Sequence, residues 1–137
     1  MKIKLFDLKR QYRTLGLNLE KKVTNVLKSG QYIMGKNGVD LEKKISKYLS
    51  CKYAVSCNSG TDALVISLRA LGVGKGDEVI TTPFTYFATT EAIILVGAKP
   101  VFVDIDPRTF NIDERQIEKA LSSKTKAIIP VHIFGQP

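Results

Sequence analysis

The stretch Cys57-Asn58-Ser59-Gly60-Thr61-Asp62-Ala63-Leu64 joins two segments of different character. Residues 53–57 form a short, mostly apolar run that predicts a buried strand, and residues 61–71 have the pattern of a helix. A strand that turns through Ser59-Gly60-Thr61 into a helix leaves backbone N–H groups free at the positive end of the helix dipole. The stretch therefore predicts an anion site, and phosphate is the usual anion at such a position.

The same turn also has a purely structural explanation. Ser and Thr cap helix N-termini in many proteins, and such a cap needs no ligand. No Gly-Lys-Ser/Thr follows, as it would in a Walker loop, and the third glycine of a dinucleotide fingerprint is missing. On these residues alone, a helix cap and a phosphate site both remain open.

Strands and helices alternate beyond this turn. The predicted strands cover residues 78–81, 101–104 and 126–131, and the predicted helices cover residues 61–71, 85–96 and 113–121. The strands are nearly continuous in apolar residues, which is typical of burial on both faces. The pattern predicts an α/β fold, a mainly parallel sheet covered by helices.

Two amphipathic helices are predicted before the alternation begins. The first carries Leu15, Leu19 and Val23 at helical spacing, and the second is marked by Leu41 and Ile45. We therefore divide the chain into an N-terminal helical segment, residues 1–52, and the first part of an α/β domain, residues 53–137. Because the chain stops just past an apolar strand, we expect the sheet to be truncated on its C-terminal side and the chain to be the N-terminal part of a longer protein.

Charge and composition limit the classes of function. The net charge of +8 lies in the N-terminal segment, where 13 Lys and Arg face four Asp and Glu; the remainder carries eight and nine. These basic residues are spread around amphipathic helices without interleaved aromatics, so a solvated face is favoured over a nucleic-acid site. No apolar run is long enough for a membrane span, and a cytoplasmic protein is expected. Cys51 and Cys57 are expected to be reduced and largely buried.

A second motif follows the strand at residues 78–81. Residues 81–89, TTPFTYFAT, place three aromatics within four positions at the carboxyl end of that strand. Open parallel sheets bind ligands at this end. The three rings either pack into the core, or one of them stacks on a flat ligand.

Acidic residues and a single histidine follow the later strands. Asp104 and Asp106 could bind a metal or act as an acid–base pair, but the adjacent Pro107 favours a turn. His132 is more typical of a packing residue than of a general base. No metal site is predicted.

Taken in order, several segments resemble the sugar aminotransferases of the DegT/StrS type. The matching segments are DLKRQY (7–12), SGQYIMG (29–35), NSGTDAL (58–64), GDEVI (76–80), PFTYFAT (83–89), GAKPVFVDID (97–106) and PVHIFGQP (130–137). The resemblance covers essentially the whole chain. Several motifs that occur in the family's order identify it far more specifically than a single motif would.

The resemblance implies a pyridoxal 5′-phosphate (PLP) enzyme, with this chain as part of the large PLP-binding domain of the aspartate aminotransferase fold. Such enzymes move an amino group, usually from glutamate, onto a nucleotide-linked keto-sugar, and they act as homodimers. Carried over by position, the backbone of Gly60 and Thr61 and the Thr61 hydroxyl would hold the cofactor phosphate. Tyr86 would stack on the pyridine ring. The loop around Tyr32 and Gly35 would approach the sugar or the dimer partner.

The resemblance also implies what this chain lacks. The lysine that binds PLP covalently and the acidic partner of the pyridine nitrogen both follow the PVHIFGQP segment in this family. We therefore expect no catalytic residue in this chain. Two alternatives stay open: a related PLP-dependent sugar dehydratase with His in place of that Lys, and a non-catalytic regulatory protein that reuses the fold.

Overall fold

The structure, a computed structural model, describes residues 6–137, and for Leu17 the backbone only. It divides into an N-terminal unit, Met1–Ser56, and a C-terminal unit, Cys57–Pro137. The boundary predicted after Lys52 lies four residues earlier, and residues 1–5 of that predicted segment lie outside the described residues. The elements in chain order are α1 (Leu8–Ser29), α2 (Lys36–Tyr48), α3 (Gly60–Ala70), β1 (Glu78–Thr81), α4 (Phe87–Leu95), β2 (Lys99–Phe102), α5 (Glu114–Ala120) and β3 (Thr125–Ile128).

The N-terminal unit consists of the two predicted amphipathic helices. The Asp7 side chain caps α1 by accepting a hydrogen bond from the Arg10 backbone N–H at 3.0 Å. Gly16, at φ 47° and ψ −143°, breaks α1 into two helical segments. Gly30 ends α1 in the left-handed conformation typical of a C-cap. None of the helices within residues 6–137 combines the length and apolarity that a membrane span requires.

The strand predicted at residues 53–57 is absent, and that prediction was wrong. Within residues 6–137 no strand pairs with this segment, so its backbone has no ladder partner. Ser56 instead donates through its N–H and its hydroxyl to the Glu42 carboxylate, at 2.8 and 2.7 Å. Val55 is 84% exposed.

The sheet of the C-terminal unit is parallel, with strand order β2-β1-β3. Val79 of the central strand lies opposite Pro100 on one side and Ala127 on the other. Val79 and Ile80 are fully buried, whereas β2 and β3 are only partly buried. The predicted α/β fold is confirmed. Within residues 6–137, the predicted burial on both faces holds for β1, the central strand of the three, and β2 and β3 each lack a neighbour on one side.

Helices α3 and α4 cover one face of this sheet. Leu68 of α3 and Ala92 and Ile93 of α4 pack with Val79 in the core. A short link joins the end of α3 to β1, and another joins the end of β1 to α4. Both helices therefore run back along β1, which places their first turns at the carboxyl end of that strand.

The predicted elements match the structure with small shifts. The strand at 78–81 is reproduced, while β2 begins two residues earlier than predicted, because the backbone N–H of Lys99 already donates to the Asp77 carbonyl at 2.9 Å. The cysteines differ more: Cys51 and Cys57 are free thiols, as expected, but both are exposed. Cys57 is the last residue of the segment that was wrongly predicted as a buried strand, and Cys51 lies two residues before that segment, so neither is covered by a sheet of the described chain.

Candidate functional site

The first turn of α3 is closed by a reciprocal pair of hydrogen bonds. The Ser59 hydroxyl accepts from the Asp62 backbone N–H at 3.1 Å and donates to the Asp62 carboxylate at 3.0 Å. Asn58 donates its side-chain amide to the same carboxylate oxygen at 3.1 Å. The Ala63 N–H donates to the Ser59 carbonyl at 3.0 Å. Ser59 is thus an N-cap residue whose hydroxyl proton is already used within the chain.

These bonds leave two donors of the first turn free. Among the described residues, the backbone N–H groups of Gly60 and Thr61 have no hydrogen-bond acceptor. They are adjacent, they stand at the positive end of an 11-residue helix, and the Thr61 hydroxyl is beside them. Two free N–H groups and a hydroxyl at this position can bind one phosphate group.

Gly60 keeps the space in front of these donors open. A Cβ built on Gly60 would meet no atom of the described chain within 4 Å. Its φ is not in the left-handed region, so the fold does not require glycine here. Without a side chain at Gly60, a phosphate could approach this part of the backbone closely.

Asp62 places a negative charge in the same turn. Its carboxylate interacts favourably with the positive end of the helix dipole. A phosphate bound nearby is repelled by it, but the bonds from Asn58 and Ser59 hold the carboxylate on the capping side of the turn. The sequence-based assignment did not include this residue, although an acidic residue three positions after a Ser is a known N-terminal signal.

Tyr86 is the N-cap residue of α4 and lies in the loop of residues 82–86. Its backbone is extended, with φ −69° and ψ 143°, and its side chain makes no capping bond. The residue is 81% exposed. Within residues 6–137 this ring does not pack into the core, and its face is available for stacking.

The topology brings the three predicted site residues to one edge of the sheet. Gly60 and Thr61 open α3, and Tyr86 immediately precedes α4; both helices start at the carboxyl end of β1. Thr82, which is fully buried, accepts a hydrogen bond from the Phe84 N–H at 3.2 Å and so anchors the loop that carries Tyr86.

The turn predicted at Asp106 is present and contains no metal-binding geometry. Asp106 accepts from the Arg108 backbone N–H at 2.8 Å and pairs with the Arg108 guanidinium at 2.9 Å. Hydrogen bonds from the Arg108 side chain hold the pKa of Asp106 at about 2. Asp113 caps α5, and its bonds from Arg115 and Gln116 keep its carboxyl pKa well below the ordinary range. Within residues 6–137, no group of three or more acidic, His or Cys side chains could hold a metal ion.

The lowered pKa values of Asp106 and Asp113 predict that the C-terminal unit loses stability in acid. Their pKa values in the folded protein lie below the unfolded value of about 3.9, so their stabilising effect is fully present above pH 4 and declines as the pH falls toward 2. We expect the melting temperature to decline between pH 4 and pH 2, and to decline less steeply in Asp106→Asn. Identical slopes for the two proteins would contradict this assignment.

His132 lies in the segment after β3. Its Nδ1 is 3.3 Å from the Asn111 side-chain oxygen, and the Asn111 amide donates to the Gln136 carbonyl at 3.0 Å. The histidine is exposed and bonds to a neighbouring loop.

The family model described as the DegT/DnrJ/EryC1/StrS aminotransferase family matches residues 14–137. The chain belongs to this family. Its resemblance to the DegT/StrS-type sugar aminotransferases, drawn from the ordered motifs, is confirmed.

Curated relatives match over nearly the whole chain. A UDP-2-acetamido-2-deoxy-3-oxo-D-glucuronate aminotransferase of Pseudomonas aeruginosa is 50% identical over 134 residues, which are 98% of this chain and 37% of the relative. A pleiotropic regulatory protein of Geobacillus stearothermophilus is 50% identical over 136 residues, 99% of this chain and 37% of the relative. The chain therefore spans little more than a third of the length of these relatives.

Solved structures of family members share the fold. The S. venezuelae protein DesV, solved in complex with a ketimine intermediate, has a TM-score of 0.94 at 38% identity, covering 99% of this chain and 37% of that one. The PLP form of Spr1654, a putative sugar aminotransferase of Streptococcus pneumoniae, has a TM-score of 0.80 at 43% identity, over 84% of this chain and 29% of that one. The C-terminal unit is thus part of an aminotransferase α/β fold.

Proposed function

We propose that this chain forms part of the cofactor site of a PLP-dependent aminotransferase that acts on a nucleotide-linked keto-sugar, with glutamate as the amino donor. The observation that carries the proposal is the pair of free N–H groups on Gly60 and Thr61, in a chain of this family. In this proposal the whole protein is a homodimer of the cytoplasm.

The phosphate of PLP would be held by the first turn of α3. The N–H groups of Gly60 and Thr61 would donate to it, with the Thr61 hydroxyl as a third donor. The three donors suit a dianion, because charge-assisted hydrogen bonds are the stronger ones. Ser59 would take no direct part, since its hydroxyl proton already goes to Asp62.

The pyridine ring would be held by stacking on Tyr86. The exposed face of this side chain and its position at the carboxyl end of β1 support the role. When bound, PLP supplies an electron sink for the transfer of the amino group. The residues of this chain bind and orient it, and we assign a catalytic role to none of them.

The proposal predicts binding that depends on the phosphate. The probe is pyridoxine 5′-phosphate, which lacks the aldehyde and therefore cannot react with surface lysines. Calorimetric titration should detect binding, and pyridoxine without the phosphate should bind at least about tenfold more weakly, since hydrogen bonds to a charged group are each worth about 1.5–3 kcal/mol. Tyr86→Ala should weaken binding of the probe and leave binding of inorganic phosphate unchanged.

Equal binding of the two compounds, or none of either, would contradict the proposal. Binding of inorganic phosphate as tight as that of the probe would indicate general attraction to the basic surface instead. Turnover of PLP, glutamate and a nucleotide-linked keto-sugar by these 137 residues alone would contradict the absence of a catalytic residue.

A further inference from the structure

Phe110 has a backbone conformation that is unusual for its side chain. Its φ is 60°, in the left-handed region that glycine and asparagine normally occupy. The residue closes the loop that follows β2: its N–H donates to the Asp106 carbonyl at 2.8 Å, and Ile105 and Ile112 form an isolated bridge across the base of the loop. A bulky residue remains in such a conformation only where the surroundings hold it there.

The ring of Phe110 contacts the rings of two other phenylalanines, Phe84 and Phe134. Its ring stacks with that of Phe84 at a centroid distance of 5.8 Å and an interplanar angle of 30°. On Phe134 it packs edge-on, at 5.4 Å and 82°. Both geometries are favourable for aromatic pairs. Phe110 thus joins the ends of three strands, because Phe84 follows β1, Phe110 follows β2 and Phe134 follows β3.

We propose that Phe110 is a positioning residue for the ring-binding part of the site: it holds the loop of residues 82–86, and with it Tyr86, at the carboxyl end of β1. The proposal rests on the function proposed above for Tyr86. Phe110 lies outside that loop, in the segment that follows β2.

Beyond the buried Thr82, the hydrogen bonds of the loop of residues 82–86 are local, so the ring contact with Phe110 supplies a long-range restraint. Phe84 bonds to Thr82, the Thr85 N–H donates to the Pro83 carbonyl at 3.0 Å, and the hydroxyls of Thr85 and Thr89 are 2.8 Å apart. Among the ring contacts of the described residues, Phe84 to Phe110 is the one that joins this loop to another strand end. Tyr86 itself is exposed and adds none.

The neighbouring Asn111 supports the same arrangement. Through its bonds to His132 and to the Gln136 carbonyl, it fixes the segment that carries Phe134 against the loop that carries Phe110. Phe110 therefore has a fixed surface on one side and the loop of residues 82–86 on the other. A left-handed backbone is what turns its ring into this position.

Phe110→Gly separates the positioning role from a purely structural one. Glycine relieves the backbone strain, so the fold is retained, but the ring contacts are lost. We expect exchange of the hydrogen-bonded amides of Phe84 and Thr85 to accelerate roughly tenfold, with exchange in β1 unchanged, and pyridoxine 5′-phosphate to bind roughly tenfold more weakly. Phe110→Tyr keeps an aromatic ring at this position and should show the exchange rates and the probe affinity of the wild-type protein. The matched control is Ser50→Gly, which relieves a similar φ of 52° in the N-terminal unit and should change neither.

Unchanged exchange in the loop, or equal acceleration throughout the C-terminal unit, would overturn the proposal. Faster loop exchange or weaker probe binding in Phe110→Tyr, as in Phe110→Gly, would also overturn it. Exchange in the loop could accelerate in Phe110→Gly while the wild-type protein does not bind the probe. That result would support the positioning of the loop by Phe110 and contradict the proposed cofactor site.

Discussion

Replacing Gly60 by alanine is expected to weaken the binding of pyridoxine 5′-phosphate about 10- to 100-fold and to leave the fold intact. Within residues 6–137 the added methyl group meets no packing neighbour within 4 Å, so we expect no packing cost in this part of the chain. We expect the methyl group to hinder the close approach of a phosphate to the free N–H groups of Gly60 and Thr61. A phosphate then loses at least one charge-assisted hydrogen bond.

The stability of Gly60→Ala makes this result interpretable. Alanine at the first position of α3 restricts the unfolded chain and should stabilise the protein by up to about 1 kcal/mol. The matched control is Gly74→Ala in the same unit, where the added Cβ makes an ordinary contact with the Val96 carbonyl at 3.8 Å. Gly74→Ala should bind the probe as wild type does. Wild-type affinity in Gly60→Ala would place the phosphate elsewhere.

Replacing Gly35 by alanine is expected to destabilise the N-terminal unit by about 1–3 kcal/mol, as overpacking does. A Cβ at this position would lie 2.6 Å from the Gln31 carbonyl oxygen, a backbone atom that cannot turn aside. The loop is already tight, since Met34 has a positive φ of 50° and Gly35 is the N-cap of α2. Relief requires the loop to open and the start of α2 to shift.

Gly38→Ala is the matched substitution three residues further along. A Cβ there meets nothing within 4 Å, and the position lies inside α2, so alanine should stabilise by up to about 1 kcal/mol. Urea denaturation should therefore separate the two variants by about 2–4 kcal/mol in free energy of unfolding. Equal stabilities would mean that the loop between α1 and α2 is not packed as described.

Local signals predicted most of the helices and the central strand. β1 carries the apolar pair Val79 and Ile80 at its centre, and it is buried because both of its neighbouring strands belong to the described chain. The segment at residues 53–57 has a similar pattern but no partner strand. Apolar spacing indicates which residues favour burial; it does not tell whether a neighbour is present to bury them.

The candidate site was predictable in outline. A helix that opens with Ser59-Gly60-Thr61 must have orphan donors, and the sequence shows that much. Which donors stay free depends on how Ser59 and Asp62 bond to each other, and the sequence leaves several arrangements possible. The start of α5 illustrates the point: the Gln116 side-chain amide donates to the Asp113 carboxylate, whereas in a capping box the side chain at this position accepts from the backbone N–H of the cap residue.

Phe110 could not be predicted at all. Turn statistics favour glycine or asparagine at a left-handed position, and Asn111 is the next residue. The conformation is determined by contacts with rings that are 26 and 24 positions away in the sequence, Phe84 and Phe134. Long-range packing of this kind overrides local preference.

The central claim is that the free N–H groups of α3 bind the phosphate of the cofactor. The most direct test is a titration of the ¹⁵N-labelled protein with pyridoxine 5′-phosphate, followed by the amide chemical shifts. We expect the largest shifts at Gly60 and Thr61, with a smaller change at Tyr86. Largest shifts at the lysine-rich surface of the N-terminal unit, with none at Gly60 and Thr61, would contradict the account.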